Sequence, residues 1–455
     1  MTAVLRYRFV AAGLALVLLV GAGLAIHKPG AGNPGSEARQ AAFVAIGLLA
    51  CAMYFASIAW LLRTRPRLAS PPGLALVLAV AVAMRLIALA GPPFLSTDLY
   101  RYIWDGRVQS AGFNPYVMPP ADPALRSLRD GVVYPRINRV ETARTIYPPV
   151  AELLFRAVAA VSETPLAMKL AMLGFDLLAI AVLLRLLALA GLERSRVLIY
   201  AWNPLAVWEF AGNAHVDAAL VGFLALAMLA HAAGRRAWTG AALAAAVLIK
   251  FFPAALFPAF WRRAARRDWQ MPAAMAAVIV GAYALFIDAG SNILGFLPGY
   301  VAEENLESGG GIFWIDGLAQ LVALPPQAGR YWLAAVAIGL GALALSMILR
   351  DRPPSEARHP VPLARDLCVM GAAVIVAVTP HYPWYFVWLA LPACLAPFPS
   401  VIFLSAVSIL QYHDPFQDRL LQFSFIYLPF AVLAIRDLRR PALTLLPMSA
   451  LPRSR

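Results

Sequence analysis

The segment Ser96-Thr97-Asp98-Leu99-Tyr100-Arg101-Tyr102-Ile103-Trp104-Asp105-Gly106-Arg107 holds the first grouping of residue types able to carry out chemistry. Ser96 or Thr97 as a cap and Gly112 as a stop predict one short helix. At helical spacing Asp98, Arg101, Tyr102, Asp105 and Gln109 share a face, while Leu99, Tyr100, Ile103, Trp104 and Val108 form an apolar one. The two carboxylates then stand about 10 Å apart along the axis. A helix N-terminus favours an ionised Asp98, and such a carboxylate beside arginines and tyrosines suits a general base that takes the proton of a hydroxyl. Asp98 could equally serve only as a partner of the helix dipole, and Asp105 as an arginine-paired structural group.

Further candidates lie downstream. Gly112-Phe113-Asn114-Pro115-Tyr116 reads as a turn, and Tyr134 to Asn138 and Thr145-Ile146-Tyr147-Pro148-Pro149 read as rigid aromatic and proline clusters forming a lid. His215 and Asp217, after Asn213, stand at the outer end of an apolar run, where they could bind hydroxyls or cap a helix. Lys250 interrupts another apolar run, with Pro253 just beyond, and a lysine at that depth points to a wet cavity. His381 sits in a proline-rich aromatic turn whose Tyr382, Trp384, Tyr385 and Trp388 also fit an interfacial belt.

The elements that position these residues must be membrane helices. Of 455 residues 61% are hydrophobic and 14% charged, with a mean hydropathy of +0.71, and apolar runs recur from end to end. The first, Phe9 to Ile26, reads as a span rather than a cleaved leader, because equally apolar runs follow it. The net charge of +14 gathers in short loops, which is the pattern of positive-inside topology and excludes a nucleic-acid patch. With Arg6 and Arg8 inside, most arginine-rich loops fall inside. The Arg262, Arg263, Arg266 and Arg267 cluster joins them if residues 238–260 form two half-helices hinged at Lys250. The expected fold is an all-α polytopic transmembrane bundle of about 12–14 membrane segments.

The chain is expected to form a single integral membrane domain, 1–455, with both termini cytoplasmic. A long outward loop spans 91–165, a second spans 289–330 and a cytoplasmic tail covers 437–455. The second loop carries Glu303, Glu304, Glu307 and Asp316, and its three glutamates read as a solvated acidic stretch, with binding of an acceptor as the alternative. Cys51, Cys368 and Cys394 lack metal-type spacing and read as buried thiols, and no glycine-rich phosphate loop, zinc signature or serine-nucleophile motif is present.

Ser96 to Arg107, Gly112 to Tyr116 and Thr145 to Pro149 resemble glycosyltransferase family 87 and related GT-C mannosyltransferases. Trp202-Asn203-Pro204-Leu205, Asn213 to Asp217, Lys250-Phe251-Phe252-Pro253 and Pro380 to Tyr385 are similar in order and placement, so the likeness covers roughly residues 91–390. The resemblance implies a GT-C fold in the plasma (inner) membrane, a polyprenyl-phosphate sugar as donor, a glycolipid or glycan as acceptor, chemistry on the outer side and inversion. It puts Asp98 at the position of the catalytic aspartate, with Asp105 as the nearby second carboxylate.

On that reading Lys250, Arg101, Arg107 and His381 would stabilise the leaving phosphate. Tyr102, Asn114, Tyr147, Asn213, His215 and Asp217 would meet substrate. A Ser-Thr-Asp sequence replaces the paired acidic motif of some relatives. A divalent metal is therefore possible but not indicated, and no cofactor is assigned. A carrier or flippase of a lipid-linked sugar is the alternative, with Lys250, Lys169 and Asp176 as its intramembrane charges, and a polymerase or ligase using diphosphate-linked substrates is a third. The resemblance implies mannose as the sugar, with arabinose or another hexose as alternatives; the oligomeric state and the linkage are open at this point.

Overall fold

The computed structural model describes residues 3–26, 36–64, 71–261, 269–304, 310–351, 353 and 356–439. These form helices and loops, with no strand among the described residues. Among the described residues seven helices are long and apolar enough to cross a membrane, or up to nine if each of two bent pairs is one span. Two shorter apolar helices, Trp384–Ala393 and Pro399–Tyr412, join them. Backbone in hydrocarbon has no water to bond, so apolar runs settle as helices and break only where other groups satisfy the freed amides and carbonyls. The chain is a polytopic helical membrane protein.

Helices α1 (Ala3–Ile26), α2 (Ser36–Thr64) and α3 (Pro71–Ala90) pack together. The chain then enters the long loop, where α4 (Asp98–Ser110) lies against α5 (Pro149–Ala159), before α6 (Pro165–Leu189) returns as a span. Thr164 caps α6, its hydroxyl accepting from the Ala167 amide, and Pro165 supplies a first-turn residue that has no amide to satisfy. Lys169 of α6 donates to the carbonyls of Ala88, Leu89 and Gly91 at the end of α3, at 3.1, 2.8 and 2.6 Å. One cation thus ties both ends of the loop to a fixed point. Deeper in the bundle Arg85 and Asp176 form a buried ion pair that Tyr200 completes, its hydroxyl donating to Asp176 at 2.7 Å.

Two breaks shape the site. The helix Arg236–Val247 ends just before Lys250, and a short 3-10 turn, Phe252–Leu256, follows, so the hinge expected at Lys250 is present. The helices Pro204–Gly212 and Asp217–Ala232 are bent by 115° at the four residues between them. One turn of π-helix, Val207–Gly212, leads into this break, and Ala214 adopts a left-handed conformation (φ 57°) within it. Local departures of this kind cost energy and concentrate at functional sites.

Both faces of helix α4 are buried, because α5 and the surrounding loop enclose it. Gly106 is required there, since a Cβ would lie 2.4 Å from the Phe155 carbonyl oxygen. The Arg262, Arg263, Arg266 and Arg267 cluster lies outside the described residues, as do Arg65, Arg67, Arg352, Glu307, Gly309 and the tail from residue 440 onward.

Candidate active site

Asp98 is the first residue of α4. Ser96 accepts its amide at 3.1 Å, whereas Thr97, at the cap position, makes no side-chain cap bond. Gly112 closes the helix end with φ 86°. The Asp98 carboxylate, 24% exposed, opens into a cavity of about 760 Å³.

The charged side chains on the wall of that cavity are mainly basic. Among the described residues Asp98 is the only carboxylate on its wall, facing five basic side chains, Arg101, Arg136, Arg139, Arg144 and Lys250. Lys250 is held 2.7 Å from the buried Asp217 carboxylate and lies 4.2 Å over the Tyr385 ring. Arg144 donates to the Val117 carbonyl and to Asn292, at 2.9 and 2.8 Å. Arg139 pairs with Glu303 at 2.7 Å, and Arg136 lies over Tyr100. Tyr147, Tyr300, Tyr382, Trp384 and Tyr385 add aromatic faces, and Phe251, Phe252, Phe296 and Leu297 an apolar flank. Such a wall suits a phosphate carried on an apolar tail beside a sugar ring.

Behind Asp98 lies a buried chain of polar groups. His215 Nε2 is 4.0 Å from Asp98 Oδ2, and its Nδ1 is 2.6 Å from Glu209 Oε2. The imidazole stacks on Trp384 with ring centroids 4.1 Å apart, and Tyr412 donates its hydroxyl to Glu209 Oε1. His215 and Glu209 are 1% and 0% exposed, so they are not surface-binding groups.

Asp105 points away from the cavity. Arg101 donates to both of its oxygens at 2.8 Å and to the Ala143 carbonyl at 2.9 Å. Beside it Glu152 accepts from Thr145 and Gln109, at 2.6 and 2.8 Å. Burial, and then the neighbouring Asp105 charge, push the Glu152 carboxyl well above its ordinary value. The second carboxylate expected from the sequence is thus part of a structural cluster that fixes α4 to α5.

Several other expected site residues lie elsewhere. Arg107 is outside the cavity, bridging Asp130 and Glu163 at 2.7 Å each and donating to the Leu128 carbonyl. Arg107→Ala is therefore expected to leave the affinity of the cavity for a phosphate-bearing ligand within about twofold, because what it removes is partly exposed loop pairing; a binding titration of the variant checks this. His381 is also off the cavity wall, clamped between Glu304 at 3.0 Å and the Gly311 carbonyl at 2.7 Å. That hydrogen bond holds the Glu304 carboxyl below its usual value.

Asn114 caps its own turn at the Tyr116 amide and donates to Asp288, at 3.0 and 2.7 Å. Asn213 accepts from the Phe94 and Leu95 amides at 3.1 Å and so holds the strip leading to Asp98. Tyr102 is buried, stacked on Phe155 with its hydroxyl toward the Val216 amide, and Asp217 is buried against Lys250. Tyr147, Arg101 and Lys250 do reach the cavity.

The sequence reading missed Arg136, Arg139 and Arg144 as cavity residues, as well as Glu152 and Glu209. The loop arginines gave no signal beyond their number, but a glutamate within Trp208-Glu209-Phe210 is a charge in an apolar run, which marks a buried role. Glu303 and Glu304, read as solvated, instead latch the second loop onto Arg139 and His381. Among the described residues no group of three or more His, Cys, Asp or Glu side chains is arranged to hold a metal ion.

A family model described as alpha-(1->6)-mannopyranosyltransferase, N-terminal domain, matches residues 8–266, more than half of the chain. No curated protein and no solved structure matches.

Proposed function

Because the chain belongs to this alpha-(1->6)-mannopyranosyltransferase family and is thus a membrane mannosyltransferase, we propose that it uses a polyprenyl-phosphate mannose donor, with Asp98 as general base. The acceptor is a hydroxyl of a lipid-linked or polysaccharide glycan, and the reaction takes place at the outer face of the plasma (inner) membrane, with both termini cytoplasmic. The observation that carries this reading is that Asp98 is, among the described residues, the only carboxylate lining a cavity whose wall holds five basic side chains.

The chemistry follows from those charges. The acceptor oxygen attacks the anomeric carbon as Asp98 takes its proton, the bond to the phosphate oxygen breaks, and its electron pair leaves with the phosphate. Lys250, Arg101 and the loop arginines offset the charge that accumulates on that oxygen. Attack from the Asp98 side, with the phosphate on the cationic side, inverts the anomeric centre, so an alpha-linked product requires a beta-linked donor. The apolar flank at Phe251, Phe252, Phe296 and Leu297 suits the first isoprene units.

Removing Lys250 alone would strand the buried Asp217, so the informative variant changes both. Lys250→Met/Asp217→Asn is expected to raise donor KM about tenfold, the loss of one charge-assisted contact to phosphate, as steady-state kinetics would read. The reading as a whole is tested with purified protein in lipid nanodiscs, offered radiolabelled mannose on polyprenyl phosphate or on a nucleotide together with a glycan acceptor. Label is expected in the acceptor from the lipid donor only. Transfer from the nucleotide donor would overturn the donor assignment, and no transfer in nanodiscs together with passage of the lipid-linked sugar across sealed proteoliposomes would favour a carrier.

A further inference from the structure

We infer that His215, backed by Glu209, is the positioning residue for Asp98 and the temporary store of the proton that Asp98 removes; this rests on Asp98 being the base. Glu209 Oε2 sits 2.6 Å from Nδ1, close enough that a small turn of the ring would put an Nδ1 proton on Glu209 and leave the Nε2 lone pair toward Asp98. The 4.0 Å between Nε2 and Asp98 Oδ2 is too long for a hydrogen bond, as expected of a lone pair facing a carboxylate. Both ring nitrogens and Glu209 Oε2 are buried without aligned hydrogen-bond partners, an arrangement that needs an explanation in a packed interior.

The ring cannot turn away, because Trp384 stacks on it and the Asn213–Val216 break holds its backbone, with the His215 amide donating to the Glu209 carbonyl at 2.8 Å. Glu209 is itself fixed by the Tyr412 hydroxyl. Tyr102, whose hydroxyl accepts from the Val216 amide, and the Lys250–Asp217 pair complete the polar groups around this break.

The step balances without a co-reactant. The acceptor O–H bond breaks as its proton moves to Asp98, the glycosidic bond forms, and the phosphate leaves with the electron pair. Asp98, now neutral, closes on Nε2 and passes the proton on, and Glu209 stabilises the resulting imidazolium. Asp98 is ionised again while substrates still fill the cavity. After product release the proton returns through Asp98 to water.

The test uses the full-length protein in nanodiscs, with kcat, donor KM and donor affinity measured separately. His215→Gln and Glu209→Gln are each expected to lower kcat by at least about tenfold, with donor KM and donor affinity within about twofold, and the double variant to be no worse than the more damaged single. Retained donor affinity reports an intact fold. Imidazole added to His215→Gly is expected to recover part of kcat. Unchanged kcat in His215→Gln, or additive losses in the double variant, would overturn the assignment. So would a kcat loss accompanied by an equal loss of donor affinity, which marks a structural role. If Asp98→Asn is itself fully active, it is the underlying assignment of the base that fails, whatever the histidine variants do.

Discussion

Asparagine at position 98 is expected to lower mannosyl transfer by about 10³-fold or more, while donor affinity stays within about twofold. The substitution keeps the shape of the side chain and its place at the start of α4, and removes only the ability to accept a proton. Asp98 is the only carboxylate on the cavity wall among the described residues, so no neighbour there can replace it. Equal rates of label transfer in the two proteins, at equal purity and lipid composition, would mean that Asp98 serves the helix dipole and nothing more.

The second large effect concerns stability. Asp105→Asn leaves the Arg101 guanidinium, buried at 6% exposure, without its bidentate carboxylate, and is expected to cost about 3–5 kcal/mol. Glu152→Gln, in the same cluster, is expected to cost only about 1 kcal/mol, because a carboxamide keeps an oxygen to accept from Thr145 and brings no charge to bury. Its pH dependence has a definite sign. The folded chain holds the Glu152 proton above pH 4.5, where the unfolded chain releases it, so stability falls as pH rises from there toward the raised folded value. Glu152→Gln removes that slope. Thermal unfolding of the two variants and the parent over a pH series measures both the costs and the slope.

The contrast between these two neighbours shows what the residue pattern could and could not reveal. The short α4 helix, its end at Gly112 and the hinge at Lys250 were legible, because caps, glycine and a charge in an apolar run are local signals. Helical periodicity also put Asp98, Arg101 and Asp105 on one side of α4. It could not tell that the same side meets open space at Asp98 and the wall of α5 at Asp105, because that depends on Gly106 admitting the Phe155 carbonyl to close contact.

The same limit explains the cations. Arg107, two residues beyond Asp105, turns to Asp130 and Glu163, whereas Arg136, Arg139 and Arg144 reach the cavity from a loop with no period to read. His215 and Asp217, which the sequence left open between substrate binding and capping, lie beneath the floor, where a 115° bend brings them to Asp98 and Lys250. Lys169 and Asp176, compatible from sequence with a carrier, are held by the end of α3 and by Arg85. Burial of these groups depends on contacts between distant segments, which no local signal carries.

The most direct test is a cryo-electron microscopy structure of the Asp98→Asn protein in nanodiscs with intact polyprenyl-phosphate mannose. The expected result has the phosphate among Lys250, Arg101 and the loop arginines, with the anomeric carbon turned toward residue 98 and room for an acceptor oxygen about 3–3.5 Å from that carbon. A phosphate bound away from these cations, or a mannose whose anomeric carbon faces away from residue 98, would contradict it.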